Sequence, residues 1–264
     1  MTLEQRREAA QFLARARLSG PPTPSPPDDL TPASIVEGYA LQDAVHAALE
    51  RAGFGARVGH KIGCTTAVMQ AYLSIDHPCA GEVFATTVFE GSAELPLARY
   101  HRIGVECEIA ARLAADLPAR DGGHTRDSVA GAVGALMAGI ELVDDRYVDY
   151  PSLSAPTLIA DDFFNAGVVL GPEVTAWRDL DLEAIAGAMI IDGAEVGRGR
   201  GADILGHPLN ALAWLADHRA ARGVPLRAGE FVMLGSVVKT VFIDAPASVR
   251  VRFDGLGEAA VRFV

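Results

Sequence analysis

The stretch GVECEIAARL, Gly104 to Leu113, reads as a β-strand. Val105, Cys107, Ile109 and Ala111 fall on one side of it. Glu106, Glu108 and Ala110 fall on the other, because strand side chains alternate faces. Both carboxylates therefore project from one face, two residues apart, and like charges held that close repel. An exposed outer face is the ordinary setting for such a pair. Here the flanking residues are apolar on both sides and Ala110 continues the carboxylate face, so the pattern favours an inward face whose charge must be neutralised.

More acidic residues follow. GIELVDDRY brings Glu141, Asp144 and Asp145 directly after small apolar residues suited to burial. Carboxylates gathered at an inner face are stable when a divalent cation neutralises them. An all-oxygen donor set suits Mg²⁺ or Mn²⁺ and not zinc, and no HExxH or His-x-His pattern competes.

HKIGCT supplies a different group. The chain has 23 basic residues, of which only Lys61 and Lys239 are lysines. Codon bias explains that ratio; so does chemistry that needs an ammonium, since lysine can give up its proton and arginine in effect cannot. Lys61 sits between His60 and Ile62 just before a turn. Beside a divalent cation and an apolar wall its pKa is expected to be depressed, which suits proton transfer; a snorkelling surface lysine is the plainer alternative. Downstream, LSIDHPCAG places Asp76 ahead of His-Pro, where turn chemistry alone accounts for an aspartate.

Composition narrows the class. Half of the 264 residues are hydrophobic, enough for a sizeable core, and the formal net charge of -11 comes with no basic cluster of the kind that binds nucleic acid. No apolar run is long enough for a membrane span, and MTLEQRREAAQFLARARLSG lacks the apolar core of a secretory signal, so it is expected to be a helix of the mature protein. Cys64, Cys79 and Cys107 form no CxxC pair; an odd count without a signal points to reduced thiols and a cytoplasmic location. No GxGxxG follows a strand, so a dinucleotide site is not expected.

The remaining elements follow from periodicity. Residues 1–18 and Ser34 to Ala52 read as helices, joined by the Pro-rich connector 20–32. Residues 56–65 read as a strand, TAVMQAYLSI as a short helix, and 82–90 and 94–97 as extended. Asp127 to Ile140, rich in Ala and Gly, reads as a helix or a helix and turn. FFNAGVVLGP, AMIIDGAEVGRGRG and FVMLGSVVKTVFI read as strands, HPLNALAWLADHRAARG as a helix, and SVRVRFDGLGEAAVRF as a hairpin closed by its DGLG turn. The expected fold is α+β: one domain over 1–264 of mixed, mostly antiparallel strands, with a helical N-terminal region over 1–55.

These motifs together resemble the 2-keto-4-pentenoate hydratase / 4-oxalocrotonate decarboxylase family of the fumarylacetoacetate hydrolase superfamily. GHKIGCTTAVMQAYLSIDHPCAGEVF is similar to the family's GxKIGxTS…GxDxPxxGxLF segment, GVECEIAARLAADLP to its VExEIAFxLxxDLP segment, and GIELVDDRYVDY to its ALEIVDSRxxDW segment. DDFFNAGVVLGP, GHPLNALAWLA and GEFVMLGSVVKT follow in the family's order, so the resemblance runs from about Ile35 to Phe263. It implies a catalytic β-roll over 56–264. It also implies Glu106, Glu108 and Glu141 as ligands of Mg²⁺ or Mn²⁺, Lys61 and Asp76 as proton carriers, and Lys239, Ser236 and Asp162 as substrate-binding. The chain departs from the pattern at Cys64, Thr66 and Phe163 to Asn165, positions expected to touch substrate.

The activity implied is metal-dependent addition of water to a 2-hydroxy-2,4-dienoate, giving a 4-hydroxy-2-oxo acid in the meta-cleavage catabolism of aromatic compounds. Decarboxylation of a 4-oxalocrotonate-type substrate is the first rival. Acylpyruvate C–C hydrolysis is the second and needs a His–Glu pair, for which His60 and His101 are candidates by proximity only. A non-catalytic partner subunit is the third, and it predicts a missing glutamate. The small-residue segments fit a homo-oligomer, and the family also suggests a complex with a companion pathway enzyme.

Overall fold

The computed structural model describes residues 1–18 and 22–264. Of the Pro-rich connector, Gly20 and Pro21 lie outside the described residues. The rest has no regular structure apart from an isolated bridge of Thr23 with Tyr147 and a 3-10 turn at Asp28–Leu30.

Helix α1 (Leu3–Leu18) packs beside α2 (Ile35–Arg51). Helix α2 starts where Ser34 Oγ accepts a hydrogen bond from Glu37 N at 3.2 Å, which satisfies one of the free N–H groups of its first turn. Four shorter or later helices complete the set: α3 (Ala67–Leu73), α4 (Arg126–Ala130), α5 (Ala155–Ala160) and α6 (Pro208–Ala221). Helix α5 lies so close to α2 that a Cβ on Gly38 would stand 2.6 Å from the Pro156 carbonyl oxygen. Among the described residues no helix is long and apolar enough to cross a membrane.

The first six strands are β1 (Arg57–Gly63), β2 (Cys79–Phe84), β3 (Val88–Glu90), β4 (Ser92–Leu95), β5 (Ile103–Leu113) and β6 (Val133–Asp144). The others are β7 (Asn165–Leu170), β8 (Ala186–Ile191), β9 (Ala194–Arg200), β10 (Phe231–Phe242), β11 (Ala247–Phe253) and β12 (Gly257–Phe263). They form a seven-stranded sheet in the order β2-β1-β10-β5-β6-β7-β3 and a five-stranded sheet in the order β4-β12-β11-β8-β9. The pairs β1–β10, β3–β7 and β4–β12 are parallel and the others antiparallel. The mixed, mostly antiparallel architecture is the one the sequence pattern implies.

Curling of the larger sheet brings β2 up to β7 and makes it a roll. The Val105, Cys107, Ile109 and Ala111 face of β5 packs outward into the main core, together with Val249, Val251 and Val261 of the smaller sheet. Each fully buried Val or Ile there contributes about 1.5–3 kcal/mol. The opposite face of β5 looks into the roll. At one end Ala110 joins Val83, Met137, Val168, Phe231 and Met233 in an apolar plug. At the other end stand the glutamates.

Two expectations need correction. Asp127 to Ile140 is mainly strand: α4 ends at Ala130 and β6 begins at Val133. Strand β6 is buried along nearly its whole length on both faces, so it has no polar–apolar alternation to announce it. Residues 82–90 are also not one extended run, because a 3-10 turn at Ala85–Thr87 separates β2 from β3 and moves the chain from one side of the sheet to the other.

Candidate metal centre

Register assembles the site. In the β5–β6 ladder Glu106 lies opposite Glu141 and Glu108 opposite Gly139, so three carboxylates share one patch of the inner surface. One oxygen from each lies within 4.8 Å of the others. Lys61 enters from β1, its Nζ 3.2 Å from Glu141 Oε1. Its partner across β2 is Gly81, and a Cβ there would stand 3.0 Å from Lys61 Cγ and Cδ. The lysine stem therefore needs a glycine beneath it.

Each carboxylate has a dedicated donor. Glu108 Oε2 accepts from Gly235 N at 2.9 Å, at a residue with φ +117° where an added side chain would meet Thr65. Glu106 accepts from the Thr240 hydroxyl, and Glu141 Oε1 accepts from Asn165 Nδ2 at 3.0 Å. Sequence reasoning did not find Gly235, Thr240 or Asn165 as carboxylate partners. Only the departure at Phe163 to Asn165 pointed near one of them.

The electrostatics follow from burial and crowding. Burial pushes Glu141 up to about 7, with Lys61 pulling it down and Glu106 pushing it up further. Glu108 is raised well above the carboxylate range by burial and then by Glu141 and Glu106. For Lys61, burial favours the neutral amine, but Glu141, Glu106 and Glu108 together outweigh it and hold the ammonium above its usual range. The depression expected of this lysine belongs to a cluster that holds a divalent cation; without one, the carboxylates act on it directly.

The residues fit a hard divalent ion. All three donors are oxygens, their mutual repulsion is only partly met by one lysine, and Glu141 Oε2 is buried with no hydrogen-bond partner.

The other candidates stand elsewhere. Asp76 is exposed in the loop between α3 and β2. Lys239 is exposed on β10 and makes no ion pair among the described residues. Ser236 pairs across the sheet with Glu108, but its hydroxyl accepts from Cys107 N at 3.0 Å and donates to the Val238 carbonyl at 2.6 Å, pinning an irregular stretch of β10. Asp162 is fully buried beside the Lys61 stem and bonded to Arg17, His46 and Glu82 N. Asp144 accepts from His101 N and Arg102 N, and Asp145 pairs with Arg102, so both turn away from the cluster. A His–Glu pair does exist, His60 Nε2 to Glu230 Oε2 at 3.1 Å, but His60 alternates to the face of β1 opposite Lys61.

A curled mixed sheet with carboxylates turned inward is the frame of a known class, and the chain belongs to it: the fumarylacetoacetate (FAA) hydrolase C-terminal family, whose model matches residues 78–264. Within that class it is 37% identical over 225 residues to the 2-keto-4-pentenoate hydratase of Burkholderia vietnamiensis, covering 85% of this chain and 84% of that one. It is 33% identical to the 2-keto-4-pentenoate hydratase of Paraburkholderia xenovorans, covering 100% of this chain and 96% of the other. Among solved structures it is similar to the 4-oxalocrotonate decarboxylase of Pseudomonas putida G7 complexed with magnesium and adipate, with a TM-score of 0.92 and 25% identity over 100% of this chain and 99% of that one.

Proposed function

We propose that this chain is a hydro-lyase that adds water to a 2-hydroxy-2,4-dienoate of the 2-oxopent-4-enoate type and releases a 4-hydroxy-2-oxo acid. The observation that carries the reading is the Glu106, Glu108 and Glu141 cluster beside Lys61, in a chain 37% identical to a hydratase. The three glutamates hold Mg²⁺ or Mn²⁺. When bound, such an ion polarises the 2-oxo acid end of the substrate and stabilises the negative charge that develops there.

Lys61 does the proton work next to that charge. In the free cluster it is held as ammonium by three carboxylates. An ion held by those carboxylates would weaken their field on Nζ and bring its pKa towards the range useful for transfer. Lys61 then gives a proton to substrate carbon as the dienol ketonises. Asp76 is the second carrier in this reading and serves the water that adds at C4. Its exposed loop leaves it free to exchange protons with solvent. Asn165, Thr240 and Gly235 hold the carboxylates in place. The polar segment of the substrate lies towards Lys239 and Ser236, and Asp162 acts from behind the Lys61 stem. On the same footing, we place the enzyme in the cytoplasm as a homo-oligomer, alone or with a companion enzyme of its catabolic route.

Decarboxylation is the second reading, favoured by the likeness to the Pseudomonas putida G7 enzyme. It requires a cation for a second carboxylate. The buried side chains of Arg17 and Arg146 and the half-buried one of Arg219 are each paired with an acid of the chain, Asp162, Asp161 and Glu82 respectively. Phe163 is the residue that faces Lys61, its ring centre 5.6 Å from Nζ, and an aromatic wall suits the short apolar tail of a monoacid.

The deciding experiment is product analysis. Freshly made 2-hydroxypenta-2,4-dienoate is incubated with the protein and Mg²⁺, and in parallel with EDTA, and the products are weighed by mass spectrometry. Metal-dependent gain of one water is expected. Loss of CO₂ from 4-oxalocrotonate without hydration of the dienoate would replace this reading with the decarboxylase.

A further inference from the structure

We propose that Arg17, from helix α1 outside the residues matched by the family model, is a positioning residue for the metal centre, acting through Asp162 and Asn165 on Glu141. The inference rests on the reading of the three glutamates as metal ligands. The Arg17 side chain is only 2% exposed, and its guanidinium lies over the rings of Phe54 and Phe84. Nη1 donates to Asp162 Oδ2 at 2.5 Å, and Nη2 reaches Asn165 Oδ1 at 3.5 Å.

The second contact fixes an orientation. A side-chain amide has an acceptor end and a donor end. With its oxygen turned to a guanidinium, Asn165 must turn Nδ2 the other way, where it donates to Glu141 Oε1. The first contact fixes a backbone. Asp162, Phe163 and Phe164 run consecutively through left-handed conformations, with φ +51°, +49° and +67°. Each such residue costs about 1–2 kcal/mol, so the turn persists only because its surroundings hold it. Arg17 and His46 clamp its first carboxylate, and Arg146 donates to the Phe164 and Asn165 carbonyls at its end. This turn is what sets Phe163 against Lys61 and Asn165 against Glu141. A fork-shaped cation is needed to hold Asp162 and Asn165 together, which a lysine ammonium cannot do with the same geometry.

The test uses R17K, with R17M as a second variant, on the full chain. Mn²⁺ binding is read from the free-ion EPR signal, thermal unfolding is recorded on the same samples, and kcat and KM are measured with the dienoate. R17K keeps a positive charge opposite Asp162 and is expected to melt close to the wild type. It is also expected to bind Mn²⁺ about 10-fold more weakly, as loss of a partner behind a metal ligand does, and to lose kcat more than KM. R17M should weaken Mn²⁺ at least as much and also melt lower. R17K with wild-type Mn²⁺ affinity and kcat makes Arg17 a purely structural anchor and overturns the proposal, as does an R17K that does not fold. A wild-type protein that binds no Mn²⁺ overturns the metal reading itself, which separates the two failures.

Discussion

Glu106 on β5 stands directly across the ladder from Glu141 on β6, and Lys61 Nζ lies 3.2 Å from Glu141 Oε1. One ammonium against three carboxylates, two of them buried and Glu106 half-buried, leaves negative charge uncompensated. In the proposed reading a divalent cation would relieve this imbalance, and in the free cluster it helps to raise Glu108 and Glu141.

Removing one charge without changing shape should reveal the strain. Glu108→Gln is expected to raise the melting temperature of the metal-free protein, because Glu108 is destabilised by burial and by its acidic neighbours. The same variant should lose Mn²⁺ affinity by more than the about 10–100-fold that an outer partner costs. Calorimetric melting with and without Mn²⁺ checks both; a metal-free E108Q that melts lower than wild type contradicts the account.

Stability should depend on pH in a direction opposite to that of an ordinary salt-bridged carboxylate. Glu141 titrates near 7 in the folded chain and near 4.5 when unfolded. The folded state therefore binds the extra proton between those values. Its contribution is fully present below 4.5 and is lost as pH rises through 7, on the order of 3 kcal/mol. Metal-free protein should gain less from Mn²⁺ at pH 5.5 than at pH 7.5, where the ligands are ionised. Melting curves at the two values, with E141Q as control, decide it: an equal Mn²⁺ shift at both means Glu141 is not the titrating ligand.

Lys61→Met keeps the length of the stem and removes the proton. Turnover should fall by about 10²–10⁴-fold. Mn²⁺ affinity should not fall, since the lysine competes with the ion for Glu141. Lys61→Arg should not restore turnover. A variant that loses Mn²⁺ and turnover together would assign Lys61 to site assembly instead.

Gly81→Ala probes the bed of the lysine. The new methyl would press on Lys61 Cγ and Cδ and on Asp162 Cβ. Overpacking of that size costs about 1–3 kcal/mol, and kcat should drop with it while the Mn²⁺ affinity holds. Unchanged kcat would show that the stem can shift without consequence.

Asp76→Asn tests the exposed carrier. Stability should stay within about 0.5 kcal/mol, as for other exposed positions. Turnover should fall by about 10²–10⁴-fold if the carboxylate moves a proton. Full turnover in D76N would remove Asp76 from the mechanism.

Strong local patterns carried much of this protein in the sequence. The alternation in Gly104–Leu113 gave β5, its two faces and the inward pair; the Ser34 start and helical spacing gave α2; and the DGLG turn between alternating runs gave β11 and β12. Helix α2 and strands β11 and β12 are half-buried, so their polar and apolar faces differ and the period is visible; β5 is buried on both faces and shows its period only because its two glutamates share the face that looks into the roll. Strand β6 was missed because both its faces are buried, and burial on both sides erases the period. The likeness of the ordered motifs to a family then supplied the candidates that alternation cannot, Asp76 and Lys239 among them.

Residue types and spacing determined which carboxylates could meet and which residue could move a proton. Only the tertiary structure decided that Glu106 is in register with Glu141, that Gly81 makes room for the Lys61 stem, and that Asn165 and Arg17 stand behind the site. The reason is physical: a side chain's period is set by its nearest neighbours along the chain, whereas register, close approach and charge balance depend on groups brought together from distant parts of it, and alternation along one strand carries no trace of them.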